Sequence, residues 1–137
     1  MIPAFKIICD KLIFPVIYVT TYAISHWIFK HEFDILLIVC LALIMFVISY
    51  FRTKNYVNNC HWNHEGITFS YQTKVFQNEL ITFHIPYSAV HKLKFRKGYI
   101  SIKYEDTEGF HFTKEFVFLE HELYNSTKQQ LQQMVTT

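Results

Sequence analysis

The chain has 137 residues, enough for one compact domain and a further segment. Fourteen Phe, nine Tyr and two Trp against three Gly and three Pro exclude a linker or a disordered tail. A net charge of +2 is too balanced for a nucleic-acid-binding domain, and Cys9, Cys40 and Cys60, with no C-x-x-C pair, exclude a disulfide framework or a zinc ribbon.

Two apolar runs come first. Leu12 to Phe29, "LIFPVIYVTTYAISHWIF", and Ile35 to Phe51, "ILLIVCLALIMFVISYF", contain no Asp, Glu, Lys or Arg. As helices each reaches about 26 Å, close to the hydrocarbon thickness of a bilayer. Pro15 and the hydroxyls of the first run are compatible with a span covered by a neighbouring helix. Lys6, Asp10 and Lys11 precede the run and no small-residue cleavage site follows, so it reads as retained rather than as a cleaved signal. The join, "KHEFD" from Lys30 to Asp34, forces an antiparallel transmembrane hairpin over residues 1–54, with spans at about 12–29 and 35–51. Lys6, Lys11, Arg52 and Lys54 flank the membrane on one side and place both termini in the cytoplasm. Trp27 and Tyr50 fall near span ends, where amphipathic rings sit.

From Arg52 onward the period becomes two. "GITFSYQT", "LITFHIP", "HKLKFRKG", "YISIKYE" and "FHFTKEF" each alternate apolar and polar residues, as half-buried strands do. Close spacing and turn-like breaks imply successive antiparallel hairpins. Leu119, Leu123, Thr127, Leu131 and Met134 then recur at helical spacing, giving one amphipathic helix over about Leu119 to Val135.

The order is therefore helix, helix, six or seven short strands, helix, an α+β membrane protein. In this order, and in "NHEGITFSY", "ITFHIPYSAVHKLKFRKGYISIKY" and "FTKEFVFLEHELYNSTKQQLQQM", the chain resembles the bacterial pleckstrin-homology-like (PH-like), YcxB-like two-pass membrane proteins. The resemblance implies a bacterial inner-membrane location. It also implies a cytoplasmic PH-like domain over 55–137, an antiparallel β-barrel or sandwich capped by the C-terminal helix. At Pro86 to Val90 the turn lacks the tryptophan and acid usual in that family. The family motif carries no catalytic residues.

The segment "CHWNH", Cys60 to His64, invites a metal or thiol reading. On a strand, Cys60 and His61 point to opposite faces, so they neither pair as thiol and imidazole nor share a metal. Alternation puts His91 on the side of Leu93, and His84 and His111 opposite their apolar neighbours. No metal site, no cofactor and no catalytic site is expected. Ser70, Ser88, Ser101 and Ser126 lack a nucleophile-elbow pattern, and Glu105, Asp106 and Glu108 read as solvated. The basic residues Lys92, Lys94 and Arg96 share one strand face, with Lys97 in the turn and Arg52 and Lys54 beside the bilayer. These six are the candidate binding residues, for anionic lipid headgroups or a protein partner. The expected function is non-enzymatic: a membrane-held PH-like module that binds a protein or lipid headgroup. The alternative is a small membrane immunity protein that neutralises a membrane-acting toxin.

Overall fold

The computed structural model describes residues 1–30 and 34–136; His31, Glu32 and Phe33 of the expected connecting loop lie outside the described residues. The chain divides into two compact units, Pro3–Thr53 and Lys54–Thr137, the second including Met1–Ile2.

The helical unit contains α1 (Ala4–Lys30) and α2 (Ile35–Phe51). Among the described residues, α1 is the one helix long and apolar enough to cross a membrane. The α2 helix has 17 residues and the bounds expected for the second span. The first span was expected from Leu12, but the helix begins two turns earlier, at Ala4. Lys6, Asp10 and Lys11, which the apolar pattern leaves as a flank, are part of this helix. Lys11 works inside the pair: it is 5% exposed, and its Nζ donates to the Tyr50 carbonyl at 2.8 Å. The same ammonium lies 5.4 Å from the centre of the Tyr50 ring. Ser49 Oγ in turn donates to the Lys11 carbonyl. These contacts set the start of α1 beside the end of α2, so the helices are antiparallel. They also supply a cation where the last carbonyls of α2 have no partner within the helix. At its other end, Asp34 Oδ1 accepts the Leu37 N–H at 3.2 Å and caps α2.

The second unit has β1 (Tyr56–Trp62), β2 (Gly66–Gln72), β3 (Ile81–Pro86), β4 (Val90–Arg96), β5 (Tyr99–Glu105), β6 (His111–Val117) and α3 (His121–Thr136). The strands form one open mixed sheet in the order β3-β2-β1-β6-β5-β4. Neighbours run antiparallel except at the centre, where β1 meets β6 in parallel at Tyr56 and Val117. This corrects the expected fully antiparallel barrel or sandwich built from successive hairpins. The exception is the β3–β4 connection. Pro86 ends β3, and a single turn of 3-10 helix, Tyr87–Ala89, follows. Proline has no N–H to continue a ladder, and the chain passes to the opposite edge of the sheet instead of returning beside β3.

The two halves of the sheet face each other. The Phe69 and Phe116 rings stack at 4.1 Å between centroids, and Phe83 meets Tyr104 edge-on at 5.4 Å. Ile67, Ile85, Ile100 and Ile102 complete the buried layer. Lys114 lies on this inner face, its ammonium 3.9 Å from the Phe83 ring centre and 4.9 Å from that of Tyr71. The α3 helix buries Tyr124, Thr127 and Leu131 against the same core. Its stripe is the expected one, widened by Tyr124, and its start falls two residues after Leu119.

Gly66 opens β2 at a point of close approach. A Cβ there would lie 2.4 Å from the Ile85 carbonyl oxygen and 2.9 Å from Pro86 Cα, so only glycine fits without moving β3. Met1–Ile2 is held by a polar cluster on the sheet. The Ile2 N–H donates to Asn58 Oδ1 at 2.6 Å, and Asn58 Nδ2 donates to Gln72 Oε1 at 3.1 Å.

Candidate functional site: a basic hollow on the sheet

The turn Lys97-Gly98 joins β4 and β5, with Gly98 at φ 70°. This two-residue loop fixes the register: Arg96 faces Tyr99, Lys94 faces Ser101 and Lys92 faces Lys103. On the next strand Lys103 faces Thr113. These residues alternate away from Leu93, Phe95, Ile100 and Ile102, so they share the outer face. There Lys92, Lys94, Lys103, Ser101 and Thr113 line a hollow of about 220 Å3.

Three ammonium groups and two hydroxyls converge on one concavity. Lys92 and Lys103 stand directly opposite each other, an arrangement that destabilises a sheet by like-charge repulsion. An anion placed between them would relieve that repulsion and could accept hydrogen bonds from both the ammoniums and the hydroxyls.

Of the six expected binding residues, Lys92 and Lys94 meet in the hollow. Arg96 and Lys97 lie beyond it, at the hairpin end. Arg52 belongs to the helical unit, where its N–H donates to the Ile48 carbonyl at 3.1 Å and ends α2. Lys54 begins the sheet unit. Lys103, Ser101 and Thr113 were missed. The hairpin register contained the signal: a two-residue Lys-Gly loop places residue 103 opposite residue 92.

The "CHWNH" segment lies in β1 and the turn after it. Cys60 is buried, and that burial pushes its thiol up to about 12. The neighbouring Thr127 hydroxyl, buried without a hydrogen bond of ordinary geometry, offsets little of this. His61 and His64 are exposed, and His61 Nε2 lies 3.2 Å from Asn59 Nδ2. His84 hydrogen-bonds Thr68 at 2.8 Å.

His91 departs from the sequence reading. Val90 pairs with Tyr104 and Lys92 with Lys103, so His91 is the extra residue of a β-bulge. The bulge turns His91 away from the side of Leu93 and toward Glu105, with Nε2 and Oε2 2.8 Å apart. Glu105 faces His111 across β5 and β6, and the two imidazoles meet edge-on at 4.6 Å between centroids. Histidines expected to face different ways are thus gathered on one sheet face, with Glu105 among them rather than merely solvated.

No protein-family model matches the chain, and no curated protein or solved structure is significantly similar to it.

Proposed function

We propose that this is a non-enzymatic integral membrane protein in which α1 and α2 form a two-span anchor with both chain ends in the bacterial cytoplasm. Its sheet unit is a PH-like module that binds the phosphates of anionic lipid headgroups. The convergence of Lys92, Lys94 and Lys103 with Ser101 and Thr113 on one hollow carries this reading. Near an anionic bilayer each such basic residue contributes about 1 kcal/mol, and the hydroxyls add direction to the charge. The anchor reading rests on the apolar α1 and on the antiparallel pairing that Lys11, Ser49 and Tyr50 hold. The PH-like reading rests on the element order of a curved sheet followed by one C-terminal helix. A binding role is favoured over thiol catalysis because the Cys60 sulfur is buried and its ionisation suppressed.

The test uses the full chain in nanodiscs of zwitterionic lipid, with and without phosphatidylglycerol. Lysine labelling by an amine-reactive ester, read residue by residue by mass spectrometry, should fall at Lys92, Lys94 and Lys103 in the anionic discs. High salt should restore it. Equal labelling of these lysines in both discs at low salt would refute lipid-phosphate binding.

A further inference from the structure

We propose that His91, Glu105 and His111 form a binding site for a divalent transition metal of the zinc class. One ligand atom from each residue lies within 4.8 Å of the other two. Two ligands of one tetrahedral zinc are about 3.3 Å apart, given bonds near 2.0–2.1 Å. Small side-chain rotations therefore bring the three atoms onto one ion, and His91 Nε2 and Glu105 Oε2 are already 2.8 Å apart.

The backbone beneath the three residues is fixed. Glu105 and His111 are cross-strand partners in the β5–β6 ladder, and His91 reaches them because β4 bulges at that residue. Bulges re-aim side chains and recur beside functional sites. Without this one, strand alternation would put the His91 ring on the opposite face of β4. Two imidazoles and one carboxylate select zinc, copper, nickel or cobalt over magnesium and calcium, which prefer oxygen ligands. Three protein ligands also leave one coordination position open to water or to an anion. All three residues lie on the face that carries the basic hollow: His91 adjoins Lys92, and Glu105 follows Lys103 by two positions on β5.

The rival arrangement is a bare imidazole–carboxylate hydrogen bond between His91 and Glu105, which makes no demand on His111. Zinc chloride titrated into the untagged full-length protein in zwitterionic nanodiscs distinguishes the two. Calorimetry should show one saturable equivalent, unaffected by a large excess of magnesium, and zinc should raise the melting temperature. His111→Gln and Glu105→Gln should each weaken zinc binding by more than the roughly tenfold that loss of an outer-shell partner alone costs, with a metal-free melting temperature close to wild type for His111→Gln. A His61→Gln, His64→Gln double variant should bind zinc as the wild type does. Cobalt should give the visible absorption of a low-symmetry nitrogen and oxygen site, and His111→Gln should lose it. Absence of saturable zinc binding, or zinc binding indifferent to His111→Gln, overturns the proposal. Loss of binding in the His61/His64 variant alone overturns it as well.

Discussion

Lys103→Gln separates a three-strand hollow from a simple row of charges along β4. With at most about 1 kcal/mol for each exposed lysine–phosphate ion pair, Lys92, Lys94 and Lys103 together supply about 3 kcal/mol, which corresponds to a dissociation constant near 6 mM for an isolated headgroup. Loss of one lysine weakens this about fivefold, to roughly 30 mM. Adjacent strands are about 4.8 Å apart, so the hollow lies within the Debye length of about 8 Å at physiological salt. At 1 M salt that length falls to about 3 Å, and most of the binding should vanish. Glycerophosphoglycerol, titrated into the full-length protein in zwitterionic nanodiscs, provides the assay, with backbone amide shifts of β4–β6 as the readout. Lys103→Gln should cost as much as Lys92→Gln, and Lys97→Gln much less, because Lys97 is in the turn beyond the hollow. The same Lys103→Gln change removes a like-charge cross-strand pair. It should therefore stabilise the fold by about 0.2–1 kcal/mol while binding weakens. If Lys97→Gln weakens binding as much as Lys103→Gln, or if Lys103→Gln leaves it unaltered, the hollow is not the binding site.

Gly66→Ala should destabilise the sheet unit by about 1–3 kcal/mol through overpacking, because the new methyl meets the backbone of Ile85 and Pro86; a wild-type thermal melt would show that β3 yields freely there. Leu131→Ala, on the fully buried face of α3, should cost about 2–5 kcal/mol, and an unchanged melting temperature would mean that α3 does not seal the core. In a Cys9→Ser, Cys40→Ser background, Cys60 should resist a thiol reagent at pH 8 until the protein is unfolded, and rapid labelling of the native protein would contradict its burial. The pH dependence has a definite sign: the folded thiol titrates at about 12 against 9.0 ordinarily. Its contribution is intact below pH 9 and is lost as pH rises from there toward 12, since the unfolded state ionises first. Denaturant melts should therefore show a shallower alkaline loss of stability for Cys60→Ala than for wild type, and parallel profiles would refute this.

What the sequence disclosed and what it hid divide along a physical line. Local periodicity located α2 to the residue, gave the strand faces of β2, β5 and the part of β4 from Lys92 onward, and found α3 within two residues, because a side chain's facing within one regular element follows from spacing alone. The sheet order is a different kind of fact. That β3 and β4 occupy opposite edges, and that β1 runs parallel to β6, depends on which distant strands meet, and no alternation pattern encodes it. Lys114 shows a second limit. Parity places it on the apolar face, where lysine looks misplaced, yet the inner rings of Phe83 and Tyr71 receive its ammonium through cation–π contact. Only tertiary packing brings those rings to it. The candidate sites fall between these extremes. Lys103 was recoverable, because a two-residue loop dictates that it faces Lys92. His91 was not, because a single inserted residue reverses the face of whatever it carries, and no residue type near Val90 announces the bulge. Without that reversal the cluster with Glu105 and His111 cannot form. Deleting a register irregularity therefore tests more than deleting a ligand. Removing Val90, if β4 closes the gap, should return residue 91 to strict alternation, carry His91 away from Glu105 and abolish zinc binding, while the Lys92–Lys103 register and headgroup binding persist. Zinc binding retained with β4 in continuous register would show that the bulge does not build the site.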